Sequence, residues 1–225
     1  MATYRNMTER VPSHIRLTTL SLPISGLLGV ISVLQSGVFI NPSTDPEAFA
    51  RSADTIALGN LLGIVSLVFL VIGVWGLYSI LERGSTSRSS IYGLMLTFAG
   101  IGLQLPFAGI FAFAAPVAGR LYLAGDKSVV RVIADATAIS NPVAFLFGAT
   151  SAWLFAIGSV FLGIAIWRSR NLPKWAGLLF SANSISIFSA PVYGLYAFIM
   201  ALTGTVLLFT SGVWIAASIA KRKTS

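Results

Sequence analysis

The sequence predicts an all-α integral membrane protein, a bundle of six transmembrane helices, on three observations. Hydrophobic residues make up 56% of the chain and charged residues only 10%, whereas about 25% of residues are charged in an ordinary soluble domain. Long stretches carry almost no charge, and Lys and Arg gather in alternate connections between them. This composition argues against a soluble enzyme and a disordered chain, and the lack of Cys argues against a disulfide scaffold.

Four apolar stretches predict one transmembrane helix each, because a hydrocarbon core about 30 Å thick takes roughly 20 helical residues. They cover residues 17–45, 55–81, 89–119 and 136–167. A fifth stretch, 175–220, is too long for one span at about 1.5 Å per residue. Pro191 and Gly194 predict a turn that divides it into two helices. Uninterrupted apolar runs favour helices over the alternating strands of a membrane β-barrel.

The distribution of basic residues predicts the orientation of the chain. Eleven of the 15 Lys and Arg residues fall on the side of the two termini, and four fall on the other side. Because cytoplasmic connections are enriched in Lys and Arg, both termini are predicted to be cytoplasmic, in a cell membrane. Residues 1–16 and 221–225 are then cytoplasmic tails, and 17–220 form one transmembrane domain. The net charge of +8 reflects this orientation, and no nucleic-acid partner is predicted.

A pattern of glycine and arginine recurs at the ends of three predicted helices. In each, a glycine precedes an arginine by ten residues: Gly73 and Arg83, Gly158 and Arg168, Gly212 and Arg222. The first and third copies also share Val, Trp, Ser and Ile at matching positions. Two interpretations fit: three related helical hairpins, an architecture found in carriers, or the ordinary frequency of Gly and of terminal basic residues in such helices.

Ionisable residues inside a span usually mark ion paths or proton relays, and the sequence places none deep inside a predicted helix. This argues against a carboxylate-coupled pump, a retinal protein and a voltage sensor. The single His, His14, lies in the tail, so no metal ligand set and no cofactor is predicted. The motifs G-x-S-x-G, H-E-x-x-H and the P-loop do not occur, so no catalytic residue is predicted.

The polar side chains predicted to lie deepest in the membrane form the candidate site. Gln104 and Asn183 fall roughly midway along the third and fifth predicted helices. Pro106 follows Gln104 closely and frees a backbone carbonyl, and Ser186 belongs to the serine-rich fifth helix. We hypothesise that these four residues line a cavity for a small neutral or lipid-like ligand. The alternative is interhelical hydrogen bonding, worth about 0.6 kcal/mol per contact.

The fourth connection carries a resemblance to known sequences. It reads Leu172-Pro173-Lys174-Trp175-Ala176-Gly177 after a basic stretch. In this respect the chain resembles uncharacterised multi-pass prokaryotic membrane families classed as domains of unknown function. Pro at a helix start, with Lys and Trp at the membrane interface, is physically ordinary. The resemblance implies a multi-pass prokaryotic protein and assigns no site residue.

Three classes of function remain open from the sequence. The first is a protein that binds or carries a small uncharged or lipid-like molecule. The second is a non-catalytic subunit of a membrane complex, packed against a partner protein. A membrane enzyme is the least favoured, because acid–base groups are missing from the predicted spans. A cavity between the third and fifth helices favours the first class, and a tightly packed bundle favours the second.

Overall fold

The computed structural model describes residues 12–82, 87–138, 140–169, 171–189 and 193–221. This part of the chain is helical and contains no strand, which confirms the all-α prediction. The elements are α1 (Ser13–Gln35), α2 (Pro46–Leu81), α3 (Ser87–Gly109), a π-helical turn (Ile110–Ala114), α4 (Ala115–Leu123), α5 (Ser128–Thr137), α6 (Pro142–Arg168), α7 (Lys174–Ala182), a 3-10 helix (Asn183–Ser189) and α8 (Leu195–Lys221).

Five helices in the described residues are long and apolar enough to cross a membrane: α1, α2, the continuous rod from α3 to α4, α6 and α8. The fifth predicted span is not among them, because α7 has only nine residues before it continues as a seven-residue 3-10 helix. The predicted turn before α8 includes Gly194, whose φ of +100° favours glycine. Residues 190–192 of that turn, with Pro191, lie outside the described residues.

Two helix starts are fixed by short sequence signals. The Asp45 carboxylate accepts a hydrogen bond from the Ala48 backbone N–H at 3.1 Å, and Pro46 occupies the first turn of α2, where no N–H is needed. Asn141 begins α6 in the same way, since its Oδ1 accepts from the Val143 N–H at 3.1 Å. These caps place both starts at the same end of the bundle.

Six helical segments form a closed ring, with neighbours in the order α1, α2, α3, α6, α7 and α8, and with α8 packed back on α1. The 3-10 continuation of α7 lies between α8 and α6. Neighbouring segments run in opposite directions. The start of α1 and the end of α8 therefore lie at one end of the bundle, which we call the terminal end.

The half of the ring next to the terminal end, called the closed half, is filled by one apolar cluster. Leu22 shows how tightly it packs. A Cβ added at Gly73 of α2 would lie 2.7 Å from Leu22 Cγ, and one added at Gly212 of α8 would lie 2.8 Å from Leu22 C. All six segments contribute to the cluster, among them Leu22, Leu77, Leu94, Ile166, Phe180 and Ile215.

At the opposite end, two rods extend beyond the other helices. Both α2 and the α3–α4 rod have spans of 36 residues, about 54 Å at 1.5 Å per residue, so they exceed a hydrocarbon core of about 30 Å. Their far ends pack with α5 around a second apolar cluster that includes Phe49, Tyr122 and Val130. We call this part the projection. Its surface carries Asp45, Glu47, Arg51, Asp54, Arg120, Asp126, Lys127, Arg131 and Asp135.

Candidate ligand cavity

A cavity of about 290 Å³ lies inside the ring, between the closed half and the projection. All six segments contribute to its wall, the fifth along the chain through the 3-10 continuation of α7 and not through α7 itself. None of the described residues that line it is ionisable. Its polar side chains are hydroxyls and carboxamides: Ser32, Asn60, Ser66, Gln104, Ser151, Asn183, Ser186 and Thr205.

The floor of the cavity is the closed half. Leu70, Ile101 and Leu208 line the cavity and also belong to the apolar cluster of the closed half. On the other side α6 is loosely packed: all eight of its buried residues lie between Ser151 and Ile166, and none lies nearer its start. Helices α1 and α2 stay in contact there, since a Cβ on Gly59 would lie 2.5 Å from Gln35 C. The cavity is therefore closed toward the terminal end and loosely bounded toward the projection. We call this loosely packed region the cavity half.

The structure brings three of the four candidate residues to the cavity. Gln104, Asn183 and Ser186 line it. The Ser151 hydroxyl shares its one proton between the Gly100 carbonyl at 2.8 Å and the Gln104 Oε1 at 3.0 Å, and both contacts join α6 to α3. Asn183 is 2% exposed, and its Nδ2 donates to the Phe180 carbonyl. Pro106 does not line the cavity, and its side chain lies on an exposed face of α3.

Three hydroxyl residues of the wall donate to backbone carbonyls. Ser66 Oγ donates to the Ser25 carbonyl at 2.8 Å, between α2 and α1. Ser151 Oγ donates to the Gly100 carbonyl at 2.8 Å, between α6 and α3. Thr205 Oγ1 bonds within α8, to the Leu202 carbonyl at 2.9 Å. With their protons engaged, these oxygens can still accept hydrogen bonds from a ligand.

These hydroxyls are the site residues that the sequence reasoning missed, although the repeat pattern contains a signal for them. Ser66, Ser151 and Thr205 each lie seven residues before the repeated glycine, at 73, 158 and 212 respectively. Seven residues are about two helical turns, so each hydroxyl lies on the same face as its glycine.

The first two copies of the pattern also make matching contacts. Gly73 packs on Leu22 while Ser66 bonds to Ser25 O, and Gly158 packs on Thr97 while Ser151 bonds to Gly100 O. The partner residues on the first helix of each pair are spaced alike. Leu22 and Thr97 are 75 residues apart in the chain, and so are Ser25 and Gly100. The third copy departs from this, because Gly212 packs on α1 rather than on α7.

Both irregular helical segments lie next to the cavity. The rod that carries Gln104 changes to a π-helix at Ile110, and α7 changes to a 3-10 helix at Asn183. Such interruptions are frequent at functional sites. The assembled groups can form hydrogen bonds, but the lining offers no group that titrates near neutral pH. In the part of the chain that the structure describes, no cluster of His, Cys, Asp or Glu could hold a metal ion.

Comparisons of the chain with protein-family models, curated proteins and solved structures give no match. The resemblance of the loop around Pro173 to uncharacterised families stays a prediction. The function is therefore argued from the cavity itself.

Proposed function

We propose that this chain is a six-span membrane protein that binds or carries a small uncharged or lipid-like molecule in the central cavity. The observation that carries the proposal is the cavity wall, to which all six segments contribute and whose polar groups are hydroxyls and carboxamides. Polar side chains at mid-membrane depth are costly unless they serve packing or a ligand. A mostly apolar pocket with a few convergent polar groups is the usual form of a small-molecule site.

The sixth span is proposed from the length of the α7 segment. Nine α-helical residues at about 1.5 Å each and seven 3-10 residues at about 2.0 Å each reach about 27 Å. This is close to a hydrocarbon core of about 30 Å. An even number of spans places both termini on one side, and the excess of Lys and Arg there favours the cytoplasm.

Cysteine labelling tests this topology, and the chain has no Cys to interfere. In intact cells, a membrane-impermeant thiol reagent should modify the Ser43→Cys variant and should reach the Ser87→Cys variant only after the membrane is opened. The reverse pattern would contradict the proposed orientation. Modification of both variants from outside would contradict the even number of spans.

Native mass spectrometry of the purified protein tests the binding function. We expect a bound mass of a small molecule or lipid on the wild type, and its loss in Gln104→Leu and Asn183→Leu variants that keep the wild-type midpoint of thermal unfolding in detergent. If the variants lose stability while the wild type carries no added mass, the carboxamides serve only helix packing. Recovery of a stoichiometric partner chain would favour the accessory-subunit alternative.

We also propose that the helix pairs α1–α2 and α3–α6 are related copies. The proposal is supported by the matched contacts of Gly73 with Leu22 and of Gly158 with Thr97. It accounts for the recurrence of an inter-helix serine hydrogen bond at equivalent depth in both pairs. Related hairpins around a central site are an architecture of membrane carriers, which makes the carrier form of the proposed function attractive.

A further inference from the structure

We infer that the ligand is a small, neutral, hydrogen-bonding solute of the polyol or simple amide class rather than a lipid, an inference that rests on the binding function proposed above. Size is the first reason. A volume of about 290 Å³ lies at the lower limit of small-molecule pockets. The floor formed by Leu70, Ile101 and Leu208 prevents a chain from extending toward the terminal end.

The hydrogen-bonding capacity of the wall is the second reason. Thr205 Oγ1 donates to a backbone carbonyl and its residue is partly exposed, so it presents acceptor lone pairs to the cavity. The Ser66 and Ser151 hydroxyls are engaged in the same way but are 6% and 1% exposed. Carboxamides present both donors and acceptors, and Asn60 and Asn183 each use one N–H proton within the protein, on the Ile56 and Phe180 carbonyls. A complementary ligand must therefore donate and accept hydrogen bonds, as hydroxyl and amide groups do. An acyl chain does neither, so it would form no hydrogen bond with the second N–H proton or the oxygen of the Asn60 carboxamide or with the Thr205 oxygen.

The charge of the wall is the third reason. No described lining residue is ionisable, so a charged ligand would lose its hydration without gaining a counter-charge. A neutral solute loses less hydration and recovers it through the carboxamides and hydroxyls. These three properties together point to a compact neutral solute with several hydroxyl or amide groups.

A solute-protection experiment tests the ligand class. In the full-length Thr205→Cys variant, the new thiol would line the cavity, and it would be the only thiol in the chain. Methyl methanethiosulfonate, which is small and neutral, labels it, and mass spectrometry gives the rate. Erythritol should slow labelling in a saturable way, about elevenfold at ten times its dissociation constant. Sucrose, acetate and dodecanol should not slow it. Labelling of the Ser43→Cys variant, outside the cavity, controls for effects of each solute on the reagent.

The outcomes separate the two proposals. If the Thr205→Cys variant folds but is not labelled, no solute enters the cavity and the proposed function fails as well. If it is labelled and dodecanol protects it while erythritol does not, binding stands and the polyol or amide class is overturned. Labelling that no solute slows, or that acetate slows, also overturns this ligand class.

A matched pair of glutamine variants locates the protecting solute. Gln104 lines the cavity, whereas Gln35 does not. With Thr205→Cys as background, Gln104→Leu should raise the half-protecting concentration of erythritol about two- to tenfold, as expected for one lost hydrogen bond. Gln35→Leu should leave it unchanged. Equal effects of both variants would show that the solute does not contact the α3 carboxamide and would overturn the assignment.

Discussion

The two halves of the bundle are built from the same helices but differ in how α6 packs. In the closed half, α6 contributes Leu162, Ala165 and Ile166, all fully buried. In the cavity half, the same helix has no buried residue before Ser151. The apolar closed half excludes solvent, and the cavity half retains hydroxyls and carboxamides around open space. The comparison teaches that composition alone, which is apolar along the whole ring, does not determine packing.

Small residues have a different consequence at helix interfaces and on the outer face of the bundle. In the closed half, a Cβ on Gly93 would lie 2.7 Å from Leu162 Cγ, so glycine is what lets α3 and α6 approach. On the exposed outer face of α3, a Cβ on Gly102 would meet nothing within 4 Å. Close helix approach through small residues is a common mode of packing in membranes, and here it extends to the cavity wall, where a Cβ on Gly100 would lie 2.6 Å from Phe155 N.

The largest expected effect is from truncating the apolar cluster of the closed half. Leu77 is 0% exposed, and Leu77→Ala should lower the free energy of unfolding by about 2–5 kcal/mol, because it leaves a cavity in a packed core. Leu61→Ala, on the same helix but 38% exposed, is the control and should have a much smaller effect. Equal losses, measured by denaturation in mixed detergent micelles, would contradict the asymmetry between halves.

Adding a methyl group should have the next largest effect. Gly93→Ala forces Leu162 to move and should lower the free energy of unfolding by about 1–3 kcal/mol. Gly102→Ala, nine residues further along α3, should be neutral or stabilising by about 0.5–1 kcal/mol, because it removes backbone freedom without a clash. The thermal unfolding midpoints of the two variants in one detergent measure this difference. A stable Gly93→Ala variant would show that α3 and α6 are less tightly packed than described.

Removing one polar contact of the cavity half should have a smaller effect. Ser151→Ala deletes the hydrogen bonds to Gly100 O and Gln104 Oε1. We expect it to lower the free energy of unfolding by about 0.6 kcal/mol. Ser79→Ala, which removes a hydrogen bond within α2 to the Trp75 carbonyl, is the matched control. It should hardly change the free energy of unfolding. A loss of several kcal/mol in Ser151→Ala would indicate that the cavity wall is a rigid packing interface instead.

The smallest expected change in the free energy of unfolding comes from removing an ion pair of the projection. Arg120 and Asp54 form an ion pair at 3.7 Å that joins α4 to α2, and both side chains are mostly exposed. Asp54→Asn should therefore change the free energy of unfolding by less than about 1 kcal/mol, and by less still at high salt. A larger change, measured at low and high ionic strength, would mean that this pair controls docking of the projection.

The sequence predicts depth in the membrane better than it predicts which way a side chain faces. Gln104 and Asn183 lie roughly midway along their helical segments, as counting residues along the chain predicts. Pro106 lies at a similar depth but about 200° around the helix from Gln104, and so it faces away from the cavity. The side of a helix that faces the cavity depends on which neighbours the helix packs against. A single sequence does not show which helices are neighbours.

The change of helix type in the fifth segment was also not predicted from the sequence. Its serines bond to their own backbone, as Ser184 Oγ does to the Ser181 carbonyl at 2.7 Å. Such local bonds compete with regular helix geometry, and the segment continues as a 3-10 helix from Asn183. Hydrophobicity predicts a membrane segment there but not this change of helix type.

The central claim is that one half of the ring is open to a small solute and the other is closed. Ser21 and Ser32 test it directly, since they are eleven residues apart on one face of α1, about three turns. Both residues are buried, but Ser32 lines the cavity and Ser21 does not. The measurement is the rate of labelling of single-cysteine variants by methyl methanethiosulfonate. The account predicts rapid labelling of Ser32→Cys and almost none of Ser21→Cys, and equal rates in two folded variants would contradict it.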